Sequence, residues 1–218
     1  MAIDKEMIIA ESLLLLGEEG LEGITFRKLI SRLKIKAPAI YWRFDNKRDL
    51  LEAVAEAILL EQFSDFSPFR ANETTWQDWL FATFNRLRRA LLAYPDGARV
   101  VAGARPYQTP TLSRIAEYSL RALEEGGLDL RTAGEIVFTA LHFTFGHVIE
   151  EQSSPGIQEI AQAPFIAAYP TIERLIALSQ AAGHTQDAIY ELSLDLIIKG
   201  GEAKKEKGGK KRRVRKKG

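Results

Sequence analysis

Residues 25–44 read TFRKLISRLKIKAPAIYWRF, and how these positions fold decides the architecture. Thr25 stands just before FRKLISRL, whose Phe26, Leu29, Ile30 and Leu33 recur at helical spacing, so Thr25 is expected to cap a helix. The short connection KIK follows. Pro38 then suits the first turn of another helix, because the N–H it lacks would have no helical partner there. That helix, PAIYWRF, is about two turns long. Two short helices joined by a tight turn make a helix-turn-helix, in which the first braces the second so that its start enters the major groove of DNA. Phe26, Leu29, Ile30, Leu33, Ile35, Ile40 and Phe44 form the apolar side of this unit, and Arg27, Lys28, Lys36, Tyr41, Trp42, Arg43 and Lys47 are left facing outwards.

The charge around this stretch points the same way. Residues 25–48 hold eight bases and one acid, Asp45, in a 218-residue chain whose net charge is only +1. That +1 is unevenly divided: residues 199–218 contain 11 Lys/Arg and 2 Asp/Glu, net +9, which leaves the rest of the chain at −8. A basic patch on an acidic body is the electrostatic footprint of a nucleic-acid contact. The competing reading makes Tyr41 and Trp42 core aromatics and the bases a solvated face.

Working outward, a first helix runs from about Asp4 to Gly17, and the glycines of EEGLEGI suit a stop and a turn. Asn46, with Asp49 three residues on, starts a fourth helix, NKRDLLEAVAEAILLEQF. The segment SDFSPFRANETT at 64–75 loses periodicity and marks a domain boundary. Further helices are predicted at about 75–93, 96–103, 110–126, 131–152, 170–182 and 185–199. No alternating strand run occurs, so the predicted fold is all-α: a three-helix DNA-binding domain with its linker helix over 1–63, a larger helical ligand-sensing and dimerisation domain over 64–201, and a disordered basic tail over 202–218. The stretch IVFTALHFTFGHVI at 136–149 is apolar nearly all round, which calls for burial on several sides and favours a helix-packed homodimer.

Several function classes drop out. The chain has no cysteine, no glycine-rich phosphate loop, no HExxH, and three histidines, none beside a credible nucleophile. Neither enzymatic activity nor a cofactor or metal is expected. His147 and Glu151 stand at i, i+4, but without an evident third ligand they read as a surface or interface pair. The N-terminus lacks a signal-peptide pattern and no apolar run approaches the ~18 residues of a membrane span, so a cytoplasmic protein without a membrane partner is expected.

The motif AIYWRFDNKRDLL at 39–51 resembles the recognition helix and linker start of the tetracycline-repressor (TetR) family. The resemblance extends through WQDWL at 76–80, RRALLAYPDGARV at 88–100, GARP at 103–106, HFTFGHVIEEQ at 142–152 and LDLIIKGGE at 194–202. It implies a ligand-responsive regulator that binds double-stranded operator DNA as a homodimer, a repressor released by a small molecule. It also implies DNA roles. Arg27 matches a base-reading position, where a bidentate contact to guanine suits it. Ala37 and Pro38 match base contacts of the recognition helix, Ala37 in place of a polar residue. Tyr41, Trp42 and Lys47 match phosphate and apolar groove contacts, Lys36 stands where an acid can occur, and Thr25, Lys28 and Arg43 complete the set. Lys34 departs from the glycine common in this turn; a left-handed backbone there would cost about 1 kcal/mol.

For the sensing domain, the resemblance sets Val101 at the position of a metal-binding histidine, Thr83 at that of a ring-binding amide, and Phe63 at about that of an entry-side histidine. Valine cannot coordinate Mg²⁺, so recognition of a tetracycline chelate is not expected. Arg105, Pro106, His142 and Glu150 are retained, and Leu87, Val137, Leu141 and the partner subunit's Ile172 and Ile176 match apolar walls. A mostly apolar effector is implied. Its binding would shift helices that end on the linker helix, changing the spacing of two reading heads. The tail reads either as an extra phosphate-binding arm or as a solubilising extension.

Overall fold

The structure, a computed structural model, describes residues 4–69, 71–153, 166 and 168–215, with side chains as far as 204. All regular structure among the described residues is helical: α1 (Lys5–Gly23), α2 (Phe26–Leu33), α3 (Ala37–Tyr41), α4 (Lys47–Phe63), α5 (Trp76–Leu92), α6 (Gly97–Gly103), a single 3₁₀ turn (Pro106–Gln108), α7 (Pro110–Glu125), α8 (Leu130–Ser153), α9 (Pro170–Ala181) and α10 (Gln186–Arg215). The caps predicted at Thr25 and Asn46 form, and Thr75 proves to cap α5 in the same way. Thr25 accepts from Lys28 N (3.3 Å), Asn46 from Asp49 N (3.1 Å) and Thr75 from Asp78 N (3.1 Å), each satisfying an N–H that the first helical turn leaves over.

Three stretches differ from expectation. α1 does not stop at Gly17 but continues to Gly23 across a break at Gly20 (φ +69°). The break is fixed from outside the helix: the Leu21 amide donates to Asp96 Oδ2 (3.1 Å), a residue beyond the end of α5. α3 is shorter than the predicted PAIYWRF, ending at Tyr41. α10 carries its backbone through the stretch expected to be disordered, as far as Arg215. Ala203, Lys204, Lys205, Glu206 and Lys207 are good helix formers, and extending an existing helix avoids the cost of nucleation.

Between α2 and α3, Lys34 sits in the left-handed region (φ 52°, ψ 44°), and Ile35 N returns to Ile30 O (3.1 Å) to close the helix end. Lys34 is exposed, so its side chain does not offset the backbone cost. Lys34→Gly is expected to stabilise the protein by about 0.5–1 kcal/mol, read as a higher urea midpoint at unchanged slope. A lower midpoint would contradict this account of the turn.

α4 joins the two halves of the molecule. Its start packs on α1, and its length packs against α5, α6 and α7, with Val54, Ala55, Ile58, Leu59 and Phe63 fully buried. The aperiodic segment after it is tied down by stacked rings, Phe66 on Trp79 at 5.6 Å. α8 is buried against α5, α7 and α10 through Ala133, Val137, Ala140, Thr144 and Val148, while Phe138 on another face stays about half exposed. No helix among the described residues is long and apolar enough to cross a membrane.

Candidate DNA interface and sensor core

In the head, Ile40 and Phe44 take the core positions and leave the other two aromatics outside. Tyr41 is 56% exposed and set edge-on to Phe26 (5.3 Å, 80°); Trp42 is 84% exposed. An indole this open on a basic surface is available to a partner and contributes nothing to the core. Arg27, Lys36, Ala37, Pro38, Arg43 and Lys47 are likewise exposed, and Thr25 is half-buried as the cap of α2.

The basic patch is smaller than the sequence count implies. Arg32 is held by Glu11 and Glu18 of α1 (2.5 Å to Glu18), and Lys28 by Glu19. Arg48 lies 3.5 Å from Glu52. Arg27, Lys34, Lys36 and Lys47 carry no ion pair among the described residues, so the field towards solvent comes from both ends of α2, the start of α3 and the start of α4. Tyr41 and Trp42 lie along the chain between Lys36 and Lys47. Lys28, counted in the sequence with the DNA-binding residues, thus meets Glu19 in the free chain and would exchange it for a phosphate on binding.

Six of the residues expected around an effector are buried together. Phe63 of α4, Leu87 of α5, Val101 of α6, and Val137 and Leu141 of α8 belong to one apolar cluster, and Thr83 of α5 is a buried polar residue. The other six lie outside it. His142 and Glu150 are exposed on α8, Pro106 is exposed, and Ile172 and Ile176 ride on α9, which buries no residue of its own. Arg105 is engaged at the linker helix: its guanidinium pairs with both oxygens of Glu52 (2.5 and 2.7 Å), approaches Asp49 (3.5 Å) and lies over the Tyr107 ring. Arg105 holds the Glu52 carboxyl, itself only 4% exposed, below its ordinary pKa. A cavity of about 730 Å³ opens elsewhere, between α1 and α4, walled by Ile9, Leu13 and Leu60 and rimmed by Glu6, Asp45 and Glu56. None of the twelve expected effector residues lines it.

Sequence reasoning missed a buried polar cluster joining α5, α8 and α10. Arg88, whose side chain is 6% exposed, donates to Glu151 (2.7 and 3.2 Å) and Asp187 (2.6 Å) and lies over the Tyr190 ring at 5.0 Å. Burial opposes its charge, but the two carboxylates outweigh that and raise its pKa. Tyr190, fully buried and pushed up to about 12 by burial, bonds to Thr144 Oγ1 (2.9 Å) and donates to Phe84 O (3.0 Å). The spacing of Tyr190, Leu194 and Ile198 at i, i+4, i+8 marks this buried face and was the available signal.

His147 belongs to that cluster rather than to the surface. Its ring packs on Phe143 and Tyr190, and its Nε2 is buried without a hydrogen bond, 3.9 Å from Glu151. Burial lowers its pKa; Glu151 and Glu150 oppose that shift and Arg88 reinforces it. A histidine that charges less readily when folded supports stability above its unfolded value of about 6.5, and that support is lost as pH falls towards the folded value. The urea midpoint is therefore expected to drop between pH 7.5 and pH 5.5, above the range where carboxylates titrate. His147→Phe is expected to flatten that segment, and an unchanged slope in the variant would assign the effect elsewhere.

The comparisons agree with one another. Residues 8–54 match the model for bacterial regulatory proteins of the tetR family, and residues 67–205 that of the tetracyclin repressor-like C-terminal domain. The chain is 40% identical over 198 residues to tetracycline repressor protein class A from transposon 1721 of Escherichia coli, covering 88% of each chain, and 36% identical over 201 residues to the class C protein of Escherichia coli, covering 91% of this chain and 90% of that one. Among solved structures it is similar to a TetR variant from Acinetobacter baumannii AYE in complex with minocycline (34% identity, TM-score 0.71, 93% of this chain and 98% of that one). It is also similar to a possible TetR family transcriptional regulator from Streptomyces coelicolor (29% identity, TM-score 0.80, 92% and 99%).

Proposed function

We propose, from the premise that the chain belongs to the TetR family of bacterial regulatory proteins, how this ligand-responsive DNA-binding repressor works: as a cytoplasmic homodimer that leaves its operator when a small, mostly apolar molecule enters the sensor core. The observation that carries the DNA reading is the open Trp42 and Tyr41 on a head whose exposed Arg27, Lys36 and Lys47 carry no ion pair among the described residues. In this reading Arg27 selects a base, Ala37 and Pro38 offer apolar contact to base edges, and Thr25, Lys28, Lys36, Tyr41, Trp42, Arg43 and Lys47 set the register on phosphates and groove walls. Residues 1–63 act as the reading unit and 64–201 as the sensing and dimerising unit.

The effector reading is supported by the make-up of the buried group. Phe63, Leu87, Val101, Val137 and Leu141 offer only hydrocarbon and Thr83 one hydroxyl, the usual composition of a small-molecule site. Val101 has no lone pair for a metal. Ile172 and Ile176 of α9, with His142, Glu150, Arg105 and Pro106, would complete the wall once a second subunit is in place. The dimer reading is supported by apolar surface without a partner in a single chain: Ile172, Leu175 and Leu178 on α9, Phe138 on α8, Leu192 and Leu196 on α10.

Sequencing the DNA that co-purifies with the protein tests the reading. A palindromic site with half-sites one helical turn apart is expected, and Arg27→Ala is expected to lose about 1–3 kcal/mol of affinity with relaxed preference at one base position per half-site. Wild-type affinity together with an unchanged base preference at every position would remove Arg27 from the reading set.

A further inference from the structure

The basic C-terminus leaves the body at the end furthest from the head. α10 runs antiparallel to α5: Asp187 and Tyr190 stand beside Arg88 and Phe84, whereas Glu202 bonds to Gln77 (2.5 Å) and a side chain at Gly201 would meet Ile136 and approach Trp76. Lys204 pairs with Glu135, near the start of α8. The contact between Asp96 and Leu21 of the head lies just past the other end of α5. The 17 residues of α5 separate these two ends by about 26 Å. Beyond Glu202 the backbone of α10 continues helically to Arg215, roughly 20 Å further in the direction away from the head.

Residues 205–218 contain nine Lys/Arg, one Glu and a single large apolar residue, Val214, with no aromatic. An arm with this root and direction is badly placed for the duplex that the head reads. It is well placed for a different one. We propose that the C-terminal basic helix is a second, sequence-independent DNA-binding site that holds another duplex while the head holds the first. Phosphates ask only for cations, and cations are nearly all this segment offers. Recognition of single-stranded RNA draws on aromatic stacking and insertion into a membrane interface on an apolar face, and residues 205–218 supply neither. The body, at −8 without residues 199–218, repels polyanions and so confines their binding to the two basic poles. The inference rests on the function proposed above only for the first duplex.

A capture assay tests it. A random-sequence duplex is immobilised and loaded with the full chain at about 50 mM salt. After washing, a fluorescent second duplex, phosphatidylserine vesicles or poly-uridine RNA is offered. Two further proteins are compared: a chain ending at Lys204, which keeps the packed part of α10, and a full-length variant carrying Lys210→Gln, Lys211→Gln, Arg212→Gln, Arg213→Gln and Arg215→Gln. The full chain is expected to retain the second duplex, both variants to retain at least about ten-fold less while binding the first duplex within about two-fold, and retention to vanish by about 200 mM salt. Equal capture by the variants overturns the proposal. So does loss of first-duplex binding in step with second-duplex capture, which would lay the tail on the operator duplex itself, or tail-dependent retention of vesicles or RNA in place of DNA. A full chain that holds no first duplex would overturn the head assignment and the bridge together, which separates that failure from failure of the tail alone.

Discussion

Replacing Leu192 and Leu196 together by glutamate is expected to give a monomer and to weaken operator binding by on the order of 100-fold or more. The two side chains are 51% and 70% exposed in the single chain, on the helix whose opposite face holds the buried Tyr190, Leu194 and Ile198. Carboxylates at these positions leave the intramolecular packing alone and would place like charges across the proposed two-fold interface. A monomer keeps its reading head and meets half-sites singly, so the gain from simultaneous engagement is lost. Sedimentation and a two-half-site titration measure both effects. A variant that stays dimeric would move the interface off α10, and one that becomes monomeric without losing operator affinity would remove the role of two-fold symmetry in recognition.

The second large effect concerns Arg88. Arg88→Met keeps much of the aliphatic volume and removes the cation from a site where Glu151 is mostly buried beside the uncharged His147. Leaving a buried carboxylate without its partner typically costs about 3 kcal/mol, which for a chain of this size corresponds to a fall in Tm of roughly 6–12 °C. Asp187 is 77% exposed and water can serve it instead, so Asp187→Asn is expected to cost below about 1 kcal/mol. Thermal melts of the two variants side by side decide between a buried ion cluster and a surface one: comparable losses would contradict the cluster.

Most of the helical frame is legible from local patterns. The caps at Thr25 and Asn46, the start of α5 next to Thr75 and the end of α4 at Phe63 lie where Ser/Thr/Asn chemistry and apolar period put them, because these choices are made within one or two turns of chain. The left-handed turn at Lys34 is legible too, as the price of a non-glycine residue in a tight connection. What escaped depends on residues far apart in sequence. The glycines after Leu16 signal a break, but which of them bends is set by Asp96, 75 positions away. Arg105 reads as a retained effector contact, yet its partner Glu52 sits on the linker helix, 53 positions earlier. Lys28 and Arg32 count as patch bases until the glutamates of α1 stand beside them. Glu151 reads as one half of a pair with His147 until Arg88 arrives from α5.

The seven residues of α6 carry a fixing point at each end. Asp96, immediately before it, holds the Leu21 amide of the head, and Arg105, just after it, holds Glu52 and Asp49 at the base of the linker helix. Asp96–Leu21 and Arg105–Glu52 thus tie the two ends of this short helix to α1 and to α4 at once. Val101 sits buried between the anchors, so any displacement of this helix is felt by α1 and α4 together.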